Sequence, residues 1–306
     1  MNTVTLGGTA TINDLVSVAR FGAKAAFSKE YEERVNHCRA HVDRFSHEGK
    51  ATYQGETLDG AEALKRAGLK PVVLSSKEGL ILLSGTTSVT AFASLAIYDA
   101  QTLSLTADIA GSFTLEVLKG TLMAMDERLM AVRPHPDQIN TAANIRAILK
   151  DSPMLERYRG HRVQDALSIR CMPQLHGPVK KAIKDAQATL AIELNSSVDN
   201  PLIFDEEDGG AVALMGCNAA KKAYDSMHLA KYILAAELIC DGQALDCYDD
   251  KRCAKGTQAI YDLLRSKVPE MDNDMPLTPY LEAVAQQIID RAYIRIVEAS
   301  VGALKF

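Results

Sequence analysis

The sequence of 306 residues contains no tryptophan, and aromatic side chains make up only 6% of it. This scarcity argues against a surface that stacks nucleic-acid bases or sugars on aromatic rings. Six cysteines are present but no Cys-x-x-Cys pair occurs, so neither a zinc ribbon nor a dithiol redox motif is indicated. We therefore expect free and mostly buried thiols in a reducing compartment.

Strong positive charge and long apolar runs are also absent. A net charge of -5 gives no reason to expect nucleic acid or an anionic membrane surface as a partner. Residues 1–5 carry no basic or apolar leader pattern, and apolar stretches such as 91–100 are too short and interrupted to span a bilayer. The sequence predicts a cytoplasmic protein without nucleic-acid or membrane partners.

The apolar residues, 47% of the chain, are numerous enough to form a substantial core. They recur every three or four positions over most of the sequence, whereas a strand-like alternation followed by a turn is confined to Thr3–Gly8. The predicted class is all-α: a bundle of long helices with a short N-terminal strand and turn. The pattern predicts helices at 12–21, 28–45, 139–149, 179–194, 219–245, 257–267 and 280–304, and one long helix or two joined helices over 89–130.

Three segments carry the most specific pattern. Residues 77–86 read Lys-Glu-Gly-Leu-Ile-Leu-Leu-Ser-Gly-Thr, residues 163–177 read Val-Gln-Asp-Ala-Leu-Ser-Ile-Arg-Cys-Met-Pro-Gln-Leu-His-Gly, and residues 197–204 read Ser-Val-Asp-Asn-Pro-Leu-Ile-Phe. In this order the segments resemble histidine ammonia-lyase and the related aromatic amino acid lyases. The resemblance implies the long-helix bundle of that superfamily and an oligomer whose active sites are assembled from several chains.

The reactive centre of that family has no counterpart in this sequence. Family members eliminate ammonia with an electrophile, MIO, which forms autocatalytically from Ala-Ser-Gly in a Gly-rich loop. No Ala-Ser-Gly occurs here, so no MIO cofactor is expected. Two seams, near 47–53 and 209–218, mark places where a family member would continue through a long segment. We predict an N-terminal helical segment, 1–46, and a central and C-terminal helical bundle, 47–306.

The resemblance transfers the family's site residues one position at a time. Ser84 stands where an Asn supports the MIO ring, and Leu167 stands where a Tyr handles a proton, so both positions are degenerate. Arg170 occupies the position whose guanidinium binds the substrate carboxylate, and Gln164 a position that hydrogen-bonds near the substrate. The resemblance thus implies a binding remnant, Gln164 and Arg170, and no catalytic residue.

A structural role for Arg170 is the alternative and is favoured, because Leu167 has replaced the group beside it. In that case Arg170 is expected to pair with a buried carboxylate. Asp165 and Asp199 are the nearest candidates in the motif.

Other titratable residues are predicted to be structural or solvated. Tyr53 follows a lead-in like that of the family's loop tyrosine, but the next residues differ. His37 and His41 lie one helical turn apart without a third ligand, so no metal site is predicted. His135, between two prolines, is predicted to lie in a loop. Next to Lys251 a group of acids indicates a solvated helix end: Asp246, Asp249 and Asp250.

The sequence favours an ammonia-lyase-like subunit that is not catalytic alone and acts as a homo-oligomer or as the partner of a full-length lyase subunit. One alternative is a histidine or aromatic amino acid ammonia-lyase whose active-site segments are missing from this sequence. Ser84 and Leu167 argue against it, because the loss of other segments does not change these residues. Another alternative is a minimised lyase scaffold made for its helix bundle. Whether the chain is an enzyme stays open.

Overall fold

The computed structural model describes residues 2–37, 74–198 and 217–306, without the side chains of 83–84 and 217–222. These residues form two compact units. One unit comprises Met1–Ala91 and Ala191–Ala220, and the other comprises Phe92–Leu190 and Lys221–Phe306. The boundary predicted after residue 46 and most of both seams lie outside the described residues, so these expectations stay predictions.

The first unit begins with the predicted strand, β1 (Thr3–Leu6), and the predicted helix α1 (Ile12–Phe21). Thr11 and Asp14 form a reciprocal capping box that fixes the start of α1, and Gly22 ends it with a left-handed φ of 68°. A second strand, β2 (Lys24–Phe27), pairs in parallel with β1. Its sequence, Lys-Ala-Ala-Phe, contains no β-branched residue and carries no strand signal.

The rest of this unit is helical where it is described. Residues 29–37 are helical, as predicted, and the remainder of the predicted helix 28–45 lies outside the described residues. Helix α2 (Glu78–Ser84) contains the first of the three motifs. Asn195 donates to and accepts from the backbone of Ala10 at 3.1 and 2.8 Å, and these bonds join the two sequence segments of the unit.

The remaining helices lie wholly or mostly in the second unit. Apart from a 3₁₀ turn at Leu122–Met125, they are α3 (Thr87–Val117), α4 (Glu127–Ala131), α5 (Pro136–Ile148), α6 (Pro153–Arg157), α7 (Leu167–Arg170), α8 (Met172–Leu194), α9 (Cys217–Asp246), α10 (Lys255–Arg265), α11 (Thr278–Ile289) and α12 (Ala292–Val301). The predicted all-α class is confirmed.

Two of the predicted helical stretches are divided. For 89–130, predicted as a long helix or two joined helices, the second alternative holds: α3 ends at Val117, because Lys119 adopts a left-handed φ of 58° and the Gly120 amide donates to the Leu115 carbonyl at 2.9 Å, and α4 follows. The predicted helix 280–304 is broken at Arg291, which also has a φ of 58°. Polar residues at both breaks look like an ordinary solvated helix face in the sequence.

The core of the second unit surrounds α3, where Ile109, Phe113 and Leu115 are inaccessible to solvent. By length and composition alone the stretch Glu78–Val117 could cross a bilayer, but core helices of soluble proteins meet the same criterion. Asp108 and Glu116 are fully buried within α3. Buried carboxylates with protein partners are typical of a core helix.

Candidate functional site

The motif at residues 163–177 forms the loop before α7, then α7 and the start of α8. Leu167, the first residue of α7, is 63% exposed, and Gln164 is exposed in the loop. Arg170 is half-buried at the end of α7, and its Nε is buried without a hydrogen-bond partner among the described residues. A buried, unpaired guanidinium nitrogen is costly, so Arg170 has unused capacity for an acceptor.

The expected ion pair between Arg170 and Asp165 is not formed. Asp165 is buried, and its Oδ2 accepts a hydrogen bond from the Thr121 backbone N–H at 2.8 Å. Asp165 therefore connects the loop before α7 to the turn after α3. Asp199, the other candidate partner, lies outside the described residues.

The other residues singled out in the sequence lie outside this motif. Ser84 is the last residue of α2, in the first unit, and Tyr53 and His41 lie outside the described residues. His135 is exposed and precedes α5 at its N-cap. Within ranges 2–37, 74–198 and 217–306, no group of three His, Cys, Asp or Glu side chains could hold a metal ion.

An ionic cluster that sequence reasoning missed lies beside α3. The Asp108 carboxylate accepts from Lys180 Nζ at 2.5 Å and from Asn144 Nδ2 at 2.8 Å, and it lies 2.8 Å from His176 Nδ1. Asn144 and Lys180 also donate to the Lys305 carbonyl. The sequence signal is a carboxylate within the most apolar helix, since such a group requires a buried donor.

Two other buried carboxyl groups, Asp241 and Glu116, have a pKa above the ordinary value. Burial raises the pKa of Asp241 to about 8; the Thr114 hydroxyl, which donates at 2.8 Å, partly opposes this, and Glu237 adds to it. Burial also raises the pKa of Glu116, despite hydrogen bonds from the Ser152 hydroxyl and the Ala254 amide. Both groups lie in the second unit and respond to desolvation.

The aspartates near Lys251 were predicted to form a solvated helix end, and the structure differs from this at Asp246. Asp246 is not solvated: its side chain is buried and accepts from Lys251, Tyr261 and Arg265. Burial alone would raise the pKa of Asp246, but these hydrogen bonds and the charge of Arg265 hold it below its usual value. Asp249 is exposed, as predicted, whereas Asp250 is half-buried and pairs with Arg157 and Arg252.

The expectation of mostly buried thiols is wrong for the four cysteines whose side chains the structure describes, and Cys38 and the side chain of Cys217 lie outside the described part. Cys240 and Cys247 are exposed, and Cys171 and Cys253 are half-buried, all as free thiols. Burial raises the pKa of Cys253 to about 12, so this thiol stays protonated at neutral pH.

Comparison with known proteins decides the family. The sequence pattern of the aromatic amino acid lyases matches residues 47–214, more than half of the chain. This chain belongs to the aromatic amino acid lyase family. Histidine ammonia-lyase 2 of Fusobacterium nucleatum subsp. nucleatum is 30% identical over 351 positions, covering 84% of this chain and 69% of the relative. Histidine ammonia-lyase of Sorangium cellulosum is 48% identical over 174 residues, covering 56% of this chain and 34% of the relative.

Solved structures share the fold of the lyase-family chain. The histidine ammonia-lyase of Trypanosoma cruzi superimposes with a TM-score of 0.79 at 18% identity, covering 98% of this chain and 96% of the other. The phenylalanine aminomutase of Pantoea agglomerans gives a TM-score of 0.79 at 18% identity, covering 94% and 99%. At these identities the likeness establishes the helical fold alone.

The length of the sequence match bears on the expected missing segments. The match to the Fusobacterium protein spans 351 positions, more than the 306 residues of this chain, so the alignment opens gaps in it. The more identical Sorangium match is confined to about a third of that relative. These lengths agree with an ammonia-lyase sequence that lacks internal segments.

Proposed function

We propose that this chain is an ammonia-lyase-like subunit that is not catalytic alone and acts within an oligomer. The observation that carries the proposal is the side chain at Leu167. It is an exposed aliphatic group at the position where the family resemblance implies a proton-handling tyrosine. An aliphatic side chain has no proton to exchange and accepts no hydrogen bond.

Leu167 is one of several changes that remove groups needed to eliminate ammonia. Removing ammonia from an amino acid requires an electrophile that activates the amine and a base for a weakly acidic β-proton. The sequence contains no Ala-Ser-Gly to form MIO, and Ser84 replaces the asparagine that supports that ring. Losing one such group usually lowers the rate by orders of magnitude, and with all of them absent no credible lyase activity is left in this chain alone.

Exposed apolar side chains on two helices support assembly. On α9, Leu229 and Ile233 are four residues apart and 70% and 71% exposed. On α8, Leu175 and Val179 have the same spacing and are also exposed. Residues four apart share one helix face, and apolar stripes of this kind mark protein interfaces. We propose that a second copy or a complete lyase subunit covers them in a soluble, cytoplasmic oligomer.

A working lyase whose active-site segments are missing from this sequence is the second candidate. The gapped match to longer histidine ammonia-lyases favours it, as does the unpaired Nε of Arg170, where the family binds a substrate carboxylate. In that reading the complete protein deaminates histidine or an aromatic amino acid. Leu167 argues against it, because a segment lost elsewhere does not alter this position.

The assembly is tested by light scattering on the purified chain at micromolar concentration. The wild type is expected to be oligomeric, and Leu229→Ser with Ile233→Ser is expected to shift the chain toward monomer. Val163→Ser is the matched control, since Val163 is 98% exposed but isolated in a loop, and should leave the mass unchanged. A stable wild-type monomer would overturn the proposal of a subunit.

A further inference from the structure

A cleft in the second unit is lined by neither Gln164 nor Arg170. It has a volume of about 1180 Å³, and its walls come from segments 119–128 and 146–162. We call it the Lys119 cleft. Neither Gln164, Leu167 nor Arg170 lines it. A ligand of this cleft would therefore be independent of the proposed function, because no residue of the family motif forms the walls.

The cations on the cleft wall differ in whether a carboxylate pairs with them. Three of the five Lys and Arg side chains are neutralised by carboxylates: Arg128 by Asp126 at 2.7 Å, Arg146 by Glu127 at 2.9 Å, and Arg159 by Glu156.

The other two cations, Lys119 and Arg162, form no ion pair within the described ranges. Asp151 is the remaining carboxylate of the lining and is likewise without an ion pair there, while His161 adds a titratable ring. The lining therefore has a net charge of +1, from five cations and four carboxylates, and the two cations outside ion pairs can donate to an anion.

Aromatic rings fix the position of the first cation. The Lys119 ammonium lies 4.5 Å from the centre of the Tyr158 ring and 5.0 Å from that of Tyr248. Tyr248 is held in place by its hydroxyl, which donates to the Val117 carbonyl at 2.7 Å. His161 packs edge-on against Tyr158 at 6.0 Å. Cation–π contact restrains the lysine without neutralising its charge, so the ammonium keeps its capacity for an anion.

The backbone of the cleft is strained at two positions. Lys119 and Asp151 have φ values of 58° and 56°, and they are two of the four described non-glycine residues with positive φ. Both residues follow the end of a helix, α3 and α5, where a left-handed residue is common, so they fix the course of two wall segments. Here the Thr121 amide bonds to Asp165, and Arg146 donates to the Met125 carbonyl, so both contacts hold the wall beside Lys119.

We propose that the Lys119 cleft binds a small molecule that carries a phosphate or carboxylate group and a ring. Lys119 and Arg162 contact the oxyanion, and the planar fork of Arg162 matches two of its oxygens. The exposed part of the Tyr158 ring packs against the ring of the ligand. Phosphate and carboxylate share this recognition chemistry, and a comparison of phenyl phosphate with benzoate distinguishes them.

The test is a calorimetric titration of the purified chain at constant ionic strength. The probes are phenyl phosphate, inorganic phosphate and benzoate. Lys119→Asn removes the charge with a residue that tolerates the left-handed conformation, and Arg162→Gln removes the second charge. Lys267→Gln is the control, because Lys267 is an exposed cation outside the cleft. Wild type and control should bind phenyl phosphate or benzoate saturably, and each cleft variant should bind roughly tenfold more weakly or worse.

The tighter of phenyl phosphate and benzoate identifies the oxyanion class, and inorganic phosphate alone is expected to bind more weakly than phenyl phosphate. Should Lys119→Asn fail to fold, Arg162→Gln carries the test, since Arg162 is exposed and its replacement buries no group. Absence of saturable binding by all three probes, or binding that both cleft variants retain in full, would overturn the proposal.

Discussion

Lys180 and Asp108 form an ion pair in which neither side chain is accessible to solvent, with Nζ 2.5 Å from Oδ2. Lys180 lies on α8 and Asp108 on α3, so the pair joins the helix of the lyase motif to the core helix. Asn144 of α5 adds a hydrogen bond to the same carboxylate oxygen at 2.8 Å. Buried ions are tolerated only when the opposite charge and hydrogen-bond donors are present.

Removing one member of this pair should strongly destabilise the fold. Lys180→Met leaves the Asp108 carboxylate buried without its cation, at a cost of about 3–5 kcal/mol in the free energy of unfolding. Lys181→Met is the control, because Lys181 is exposed and its pair with Asp185 contributes at most about 1 kcal/mol. Urea denaturation of both variants gives the comparison. Equal stability of Lys180→Met and wild type would show that the pair is not a structural requirement.

The buried carboxyl of Asp241 predicts a specific dependence of stability on pH. Its pKa is raised to about 8 in the folded state, against 3.8 as the ordinary value, so the folded state retains the proton more strongly. Its contribution is therefore fully present below the ordinary pKa and is lost as pH rises toward 8. The slope is at most about 1.4 kcal/mol per pH unit.

Asp241→Asn keeps a neutral side chain beside Thr114 and should remove this contribution. The variant is expected to lose less stability than wild type between about pH 5 and pH 8, as measured by urea denaturation at several pH values. Asp249→Asn, at an exposed position, is the control and should follow the wild-type curve. Parallel curves for wild type and Asp241→Asn would contradict the raised pKa.

The glycine that ends the motif is predicted to be a packing residue. A Cβ on Gly177 would lie 2.8 Å from the Gln138 backbone nitrogen and 2.9 Å from its Cα, so α8 touches the backbone of α5 there. Gly177→Ala should destabilise the chain by about 1–3 kcal/mol, because backbone atoms must move. Gly8→Ala, where a Cβ meets nothing within 4 Å, is the control. A melting temperature for Gly177→Ala equal to that of the control would refute the close contact.

Arg170 is predicted to be removable at modest cost, because it forms no ion pair in the described part of the chain. Arg170→Ala should lower the free energy of unfolding by less than about 2 kcal/mol, unlike the loss of a paired buried ion. The readout is thermal melting with and without histidine or phenylalanine. If the wild type is stabilised, Arg170→Lys should respond weakly and Arg170→Ala not at all. A loss near that expected for Lys180→Met would instead reveal a hidden carboxylate partner.

Local signals in the sequence were enough to predict the class and several helix ends. Thr11 and Asp14 give a capping box within four residues, and the apolar periodicity of α5, α9 and α10 places those helices to within a few residues. These features depend on neighbouring side chains, so no tertiary information was needed. The breaks at Lys119 and Arg291 were missed because either residue favours a helix, although Gly120 next to Lys119 is a local signal for the end of α3.

The candidate site was predictable only as far as the motif reached. Gln164, Leu167 and Arg170 could be identified by position, but the Asp165 bond to Thr121 joins residues 44 apart and leaves no local pattern. The same holds for the Lys119 cleft, whose walls meet through tertiary packing of segments 119–128 and 146–162. Long-range contacts of this kind depend on the complete fold and are invisible to periodicity and spacing.

The most direct test of the central claim is ammonia release by the purified chain alone, with histidine, phenylalanine and tyrosine as substrates and a heat-inactivated sample as the control. The absent Ala-Ser-Gly and the side chains at Ser84 and Leu167 predict no release above the control and no absorbance attributable to MIO. Steady formation of urocanate, cinnamate or its hydroxylated analogue by the chain alone would contradict the account.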